Sequence, residues 1–382
     1  MLSLTSLCLA TVFLTTSASP LSFLSNIKHA KRAVTPVVSG TPQLLGVALD
    51  PTWNRDSCTS TRVRKRELWT CRDSQSKTAF LSSTASWTNA SSDGTPAVVN
   101  GVLPMYGTNN VNNAYFPVQA DECTAPAGNC NNGTRYALWP DTRPLPVDVG
   151  TDGSMSLYTW IKNVHLSGLT ELNPNPPTSL YRSDFVPTQP VNQLPPVTLV
   201  NEQFWPAGSI AFGDYGFVIN SSTAYLYGAM NNTGGPALAK VAVGKIEDPT
   251  AYKFWNGTAW TTTKPGLNDA NAAIKNAGTG GQGTFYYSEY FSSYVWIGAP
   301  AIGCNAAFQI ATSPTPYGDW TNPSTFYTGV AGNASFCPAY SQQAHPGLSK
   351  NHGSGNDIYL TYTKVDAGSA GYSTPLIHVV WQ

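Results

Sequence analysis

The stretch "LDPTWNRDSCTSTRVRKRELWTCRDSQ", Leu49 to Gln75, decides the fold. It holds two Arg-Asp-Ser triplets, Arg55-Asp56-Ser57 and Arg72-Asp73-Ser74, each beside a cysteine, Cys58 and Cys71. The basic turn Arg64-Lys65-Arg66 lies between them, followed by the apolar beat Leu68-Trp69. Short runs of β-branched and aromatic residues around such a turn predict two paired strands, clipped near their base by the cysteines. Two carboxylates, each next to an arginine, then stand at comparable heights on neighbouring strands and form one wall of a polar site.

Working outward, the apolar-aromatic beat recurs. Leu68-Trp69-Thr70-Cys71 is followed by Leu157-Tyr158-Thr159-Trp160, Ala224-Tyr225-Leu226-Tyr227, Val295-Trp296-Ile297-Gly298 and Ile358-Tyr359-Leu360-Thr361. The residues at the second place are 89, 67, 71 and 63 positions apart, and each copy follows a turn-like segment. Helical periodicity is nearly absent; only Asp269 to Ala277 predicts a turn or two of helix. Hairpin units of about seventy residues suit an all-β, five-bladed β-propeller of four-stranded blades, with a large jelly roll or sandwich as the competing architecture. The run Thr35 to Val47 is expected to close the ring on the last strand, Ile377 to Trp381. The Pro-rich segment Pro187 to Pro196 is expected to cross between blades.

The chain begins with a different signal. Leu2 to Leu14 is mostly apolar and uncharged, with small residues after it. Residues 1–18 are expected to be a secretory signal, too short to span a membrane. Residues 19–32 then form a propeptide ending at the dibasic Lys31-Arg32, and 33–382 a single propeller domain. Six cysteines remain after Cys8 leaves, and an even count in an oxidising compartment predicts disulfides. Local pairing, Cys58–Cys71, Cys123–Cys130 and Cys304–Cys337, is preferred among the alternatives. Sequons at Asn89, Asn132, Asn220, Asn231, Asn256 and Asn333 predict surface glycans. Charged residues make up 11% of the chain, against a typical ~25%, and 21 basic residues balance 21 acidic ones. Such a surface has no field to attract nucleic acid or anionic lipid. The expected product is a secreted, extracellular, monomeric protein.

In a propeller the first strand of each blade lines the channel, so polar residues there are site candidates. Blade one offers Arg55 and Asp56, with Arg72 and Asp73 beside them. Blade two offers Trp139 and Asp141, with Arg143 near. Blade three offers Glu202 and Trp205, blade four Glu289 and Tyr290, and blade five His345. Glycosidic cleavage needs two carboxyl groups across the bond, one protonated and one ionised, and a third carboxylate or an arginine holds their pKa values apart. Aromatic faces suit sugar C–H surfaces. Gly-x-Ser-x-Gly, phosphate-loop, His-Glu-x-x-His and calcium-loop patterns are missing from the sequence, so no cofactor or metal is expected.

The segment "KRELWTCRDSQ" resembles the "lWvfGDT" strand of a domain-of-unknown-function family of secreted five-bladed propellers related to furanosidases. Some members of that family are endo-D-arabinanases. Here Arg72-Asp73-Ser74 stands at the Gly-Asp-Thr. "WNRDSC", "FWPAGSI", "YKFWNGTAW", "YYSEYFSSYVWIG" and "AHPGLSKNHGSGNDIYLTYT" are similar to its other blades, so the resemblance runs from Gln43 to Trp381. It implies a carbohydrate site at the channel mouth with acids from the first three blades. Matched here, these are Asp56 or Asp73 as base or nucleophile, Glu202 as general acid and Asp141 as tuning group, with Arg55 or Arg72 orienting. Trp139, Trp205, Glu289, Tyr290 and His345 complete the expected binding surface for a polysaccharide or oligosaccharide. The competing function is a non-catalytic carbohydrate-binding propeller, a lectin or adhesion protein. A lectin should repeat its motif from blade to blade, and these acids do not.

Overall fold

Both faces of the recurring strand are apolar, and the structure explains why. In a computed structural model, which describes residues 33–382 except 110, 124–126, 232–233, 302 and 369–370, the beat is the second strand of each of five antiparallel meanders. Sheet A comprises Thr59–Val63, Arg66–Cys71 and Thr84–Asn89. Sheet B runs Leu145–Asp148, Met155–Ser167, Thr178–Phe185 and Val197–Trp205. Sheet C begins Gly216–Asn220, Thr223–Gly228 and Ala237–Ala242, and sheet D comprises Gly283–Ser288, Ser293–Gly298, Ala307–Ser313 and Ser324–Thr328. Sheet E consists of Ala339–Ala344, Asp357–Asp366 and Pro375–Val380. The expected signal and propeptide lie outside the described residues.

Successive side chains of a strand point to opposite faces, so a strand covered on both sides buries every residue. Leu68, Trp69, Thr70 and Cys71 are all fully buried. The cores lie between sheets rather than within one. Leu68, Trp87 and Leu157 join A to B; Trp160, Phe217 and Leu226 join B to C; Tyr227, Phe285 and Trp296 join C to D. Ile297, Ile358 and Ile377 join D to E, and Trp69, Tyr359 and Leu376 join E back to A.

The N-terminal strand Gln43–Leu49 pairs antiparallel with Pro375–Val380, in register Gln43 with His378, as the sequence suggested for the closing run. A bulge at Gly46 breaks that register, and there φ is +132°. A Cβ on Gly46 would stand 1.7 Å from the Gly101 carbonyl oxygen, so only glycine fits. All three disulfides form with the preferred local partners, at Cα separations of 4.0, 4.9 and 4.5 Å. The six sequon asparagines are exposed. Asp269 to Ala277 holds one short 3-10 turn, Ala270–Ala272. The Pro-rich segment is a correction: Pro187 to Pro196 links the third and fourth strands of sheet B, so it turns within a sheet instead of crossing between two. No helix among the described residues is long and apolar enough to cross a membrane.

Gly46→Ala should therefore cost about 3 kcal/mol in urea unfolding through backbone strain and the Gly101 clash. Gly266→Ala is the control, since its φ is not positive and its Cβ would meet nothing within 4 Å. Equal midpoints for the two variants would remove the closing bulge from this account.

Candidate active site

The first strands of the sheets all begin near one cluster. The two Arg-Asp-Ser triplets lie side by side: Asn54 pairs with Gln75 and Arg55 with Ser74, and Asp56 N–H donates to Asp73 O at 2.9 Å. Arg72 N–H returns a bond to Asp56 O at 2.9 Å, and the Cys58–Cys71 bridge holds the next level. Ser57, at φ +49°, turns the chain into the first strand of sheet A, its N–H donating to Thr363 Oγ1 at 2.8 Å.

Asp56 is buried, and Thr363 Oγ1 donates to its carboxylate at 3.2 Å, with a further hydrogen bond from Tyr340. Burial pushes its pKa up to about 6; neighbouring Arg72 opposes that rise and Asp73 adds to it. Asp73 is gripped from sheet B's side by Arg135, at 2.9 and 2.7 Å, and by Trp139 Nε1 at 2.8 Å. Asp141, in the loop before sheet B's first strand, forms an ion pair with Arg72 and accepts from Gln282 Nε2 at 3.2 Å. Asp214, just before the first strand of sheet C, is 3% exposed. Lys162 Nζ sits 3.0 Å from its Oδ2, while its Oδ1 is buried without a hydrogen-bond partner among the described residues.

Arg72 is the common partner. Burial lowers its pKa, while Asp56, Asp214 and Asp73 act against that shift. The Trp139 ring lies against both cations, 5.1 Å from Arg72 and 5.5 Å from Arg135. Asp56, Asp141, Asp214, Gln282 and Tyr340 thus come one from each of the five sheets, each at or just before the start of its first strand. A cleft of about 590 Å³ is lined by Tyr215, the residue after Asp214, and by Met230, Pro236 and Thr279.

The structure brings Asp56, Arg72, Asp73, Trp139 and Asp141 together and leaves the other sequence candidates elsewhere. Glu202 is exposed on the outermost strand of sheet B, where its carbonyl accepts from Gln119 and Ser179. The sequence pattern suggests the inner strand of the next blade, but this is the fourth strand of sheet B. Trp205 is core, its Nε1 donating to Phe212 O at 2.8 Å. Arg55 turns away from the cluster to Asp50 at 2.6 Å and Ser86 at 2.7 Å, a structural ion pair. Glu289 and Tyr290 are exposed in the turn after Gly283–Ser288, at the far end of that strand.

His345 is fully buried between Ser60 and Thr361 hydroxyls, both at 2.7 Å, with burial driving its pKa down to about 3. It is a neutral packing histidine. Sequence reasoning missed Asp214, Lys162, Arg135 and Gln282. Only Asp214 carried a signal, as an acid inside the apolar run "IAFGDYGFVI".

No family model and no curated protein sequence matches the chain. Solved structures do. A protein of Bacteroides ovatus ATCC 8483 assigned as a hydrolase shares 13% identity over 86% of each chain, with a TM-score of 0.59. Zg3597 of Zobellia galactanivorans, a family 117 glycoside hydrolase, shares 12% identity over 90% of this chain and 91% of its own, with a TM-score of 0.50. At such identities the likeness is one of fold.

A carboxyl raised from 3.8 to about 6 on folding stabilises the protein fully below pH 3.8. That contribution, about 3 kcal/mol, is lost as pH rises through 6. Asp56→Asn should flatten the fall in stability between pH 4 and pH 7, read by urea unfolding at each pH. An unchanged slope would show that Asp56 titrates normally.

Proposed function

We propose that the chain is a secreted, five-bladed β-propeller glycoside hydrolase acting on a furanose-containing or other extracellular polysaccharide. Two observations support the architecture: each of the five sheets packs on the next, with E returning to A, and the N-terminal strand completes the last sheet. The observation that carries the function is the convergence of Asp56, Asp141 and Asp214, from three successive sheets, on Arg72. That a family 117 glycoside hydrolase shares the fold supports the reading.

Hydrolysis of a glycosidic bond moves one proton to the leaving oxygen and adds water at the anomeric carbon through an oxocarbenium-like state. Asp56, poised at about 6 by burial, is the proton-transfer group. Asp141 and Asp214, paired with Arg72 and Lys162, present negative charge toward the developing cation. The free Oδ1 of Asp214 accepts a sugar hydroxyl, and Trp139 offers an aromatic edge. Asp73, saturated by Arg135 and Trp139, positions Arg72 and Trp139 rather than reacting.

Reducing-sugar release from a panel of arabinans, arabinogalactans, galactofuranans and fungal wall glucans tests this. Asp56→Asn and Asp214→Asn should each lower turnover by roughly 10²–10⁴-fold with circular dichroism unchanged. Absence of release from every polymer, with glycan-array binding retained, would make the protein a carbohydrate binder instead.

A further inference from the structure

The first strands end, as they begin, around an opening. At the ends opposite to Asp56, Asp214 and Gln282, a second cavity of about 500 Å³ is lined from all five sheets, by Arg62, Arg143, Phe217, Tyr286, Glu289 and Gly347 among others. The volume is that of a small-ligand pocket. Its charges are unmatched. Arg62 Nε lies 4.0 Å from Glu67 Oε2, and Arg143 faces the same carboxylate, so two guanidiniums share one acid.

Glu67 is itself fully buried behind the wall, bonded by Ser60 Oγ at 2.8 Å. Gly347 separates it from the cavity: a Cβ there would come 2.5 Å from Glu67 Oε1. Burial raises Glu67 to about 7, which leaves the arginines still less neutralised near neutral pH. Arg62 Nε and Nη1, Arg143 Nε and Glu67 Oε2 are buried without hydrogen-bond partners among the described residues. Arg143 Nη2 donates to Phe285 O at 3.2 Å, and its guanidinium lies 4.2 Å from the Phe217 ring. Arg62 Nη2 donates to Gly94 O at 2.7 Å, but two partly desolvated cations that share one buried acid are costly, and the other acid on the wall, Glu289, is exposed and makes no ion pair among the described residues.

We propose that this second opening binds a small oxyanion, either the carboxylate of an acidic sugar or free phosphate, between Arg62 and Arg143. The site lies beyond the far ends of the first strands of sheets A, C, D and E, and Arg143 reaches it from the loop that also carries Asp141.

Isothermal titration of the mature chain with sodium glucuronate, inorganic phosphate and neutral glucose tests it. Glucuronate or phosphate should bind and glucose should not. Arg143→Gln and Arg62→Gln should each weaken binding about tenfold or more, and Glu289→Gln should tighten it about two- to fivefold. If Arg143→Gln fails to fold, Arg62→Gln and Glu289→Gln carry the test. Binding of glucuronate alone identifies a sugar acid, and binding of phosphate as well identifies the oxyanion as the recognised group. Heat from neither anion, equal binding of glucose, or affinity indifferent to Arg62→Gln would overturn the proposal. Repeating the titration on Asp56→Asn, with affinity unchanged, separates this site from the hydrolytic reading.

Discussion

A sheet that is apolar on both faces cannot end a stack. Each of the five meanders places such a strand in its middle, so each needs a neighbour on either side, and the fifth finds its second neighbour in the first. Trp69, Tyr359 and Leu376 fill that last interface. The strand Gln43–Leu49 stitches it, since the N-terminal segment completes the C-terminal sheet before the chain enters sheet A. The glycine at its bulge is the point where the stitch passes Gly101 too closely for any side chain.

This arrangement creates the chemistry. Strands that start together bring one residue from each sheet to a common point, though these residues are far apart in sequence: Asp56, Asp141, Asp214, Gln282 and Tyr340. None of the three carboxylates among them could hold a charge there alone. Arg72 spreads its positive charge among the carboxylates, and Trp139 and Arg135 fix Asp73 behind it. The result is a compact set of acids with unequal environments, Asp56 desolvated and Asp141 and Asp214 ion-paired, which is the asymmetry that proton-transfer chemistry requires. At the second opening two arginines, Arg62 and Arg143, face one buried acid, Glu67, while Glu289 stands exposed.

Much of this was legible in the sequence because local rules governed it. Cysteines 13 and 7 residues apart closed on their nearest partners, as did Cys304 and Cys337. The two triplets, Arg55-Asp56-Ser57 and Arg72-Asp73-Ser74, paired because a hairpin joins them. What failed was assignment of strands to inner or outer positions. Glu202 and Trp205 sit in a segment as β-like as any inner strand, yet it forms the fourth strand of sheet B, exposing one residue and burying the other. His345 stands beside Ala344, where the inner strand of sheet E ends, yet it packs on Trp69 at 4.5 Å.

The sequence by itself determined the all-β class, the repeated apolar-aromatic strand and the local disulfides, because period-two patterning and short loops are properties of neighbours along the chain. Only the tertiary structure decided which carboxylates meet. Asp214 pairs with Lys162 and Asp141 with Arg72, Arg55 leaves for Asp50, and Glu67 is shut behind Gly347. Each outcome depends on which sheet lies beside which and on which end of a strand faces inward, and no periodicity along the chain encodes either.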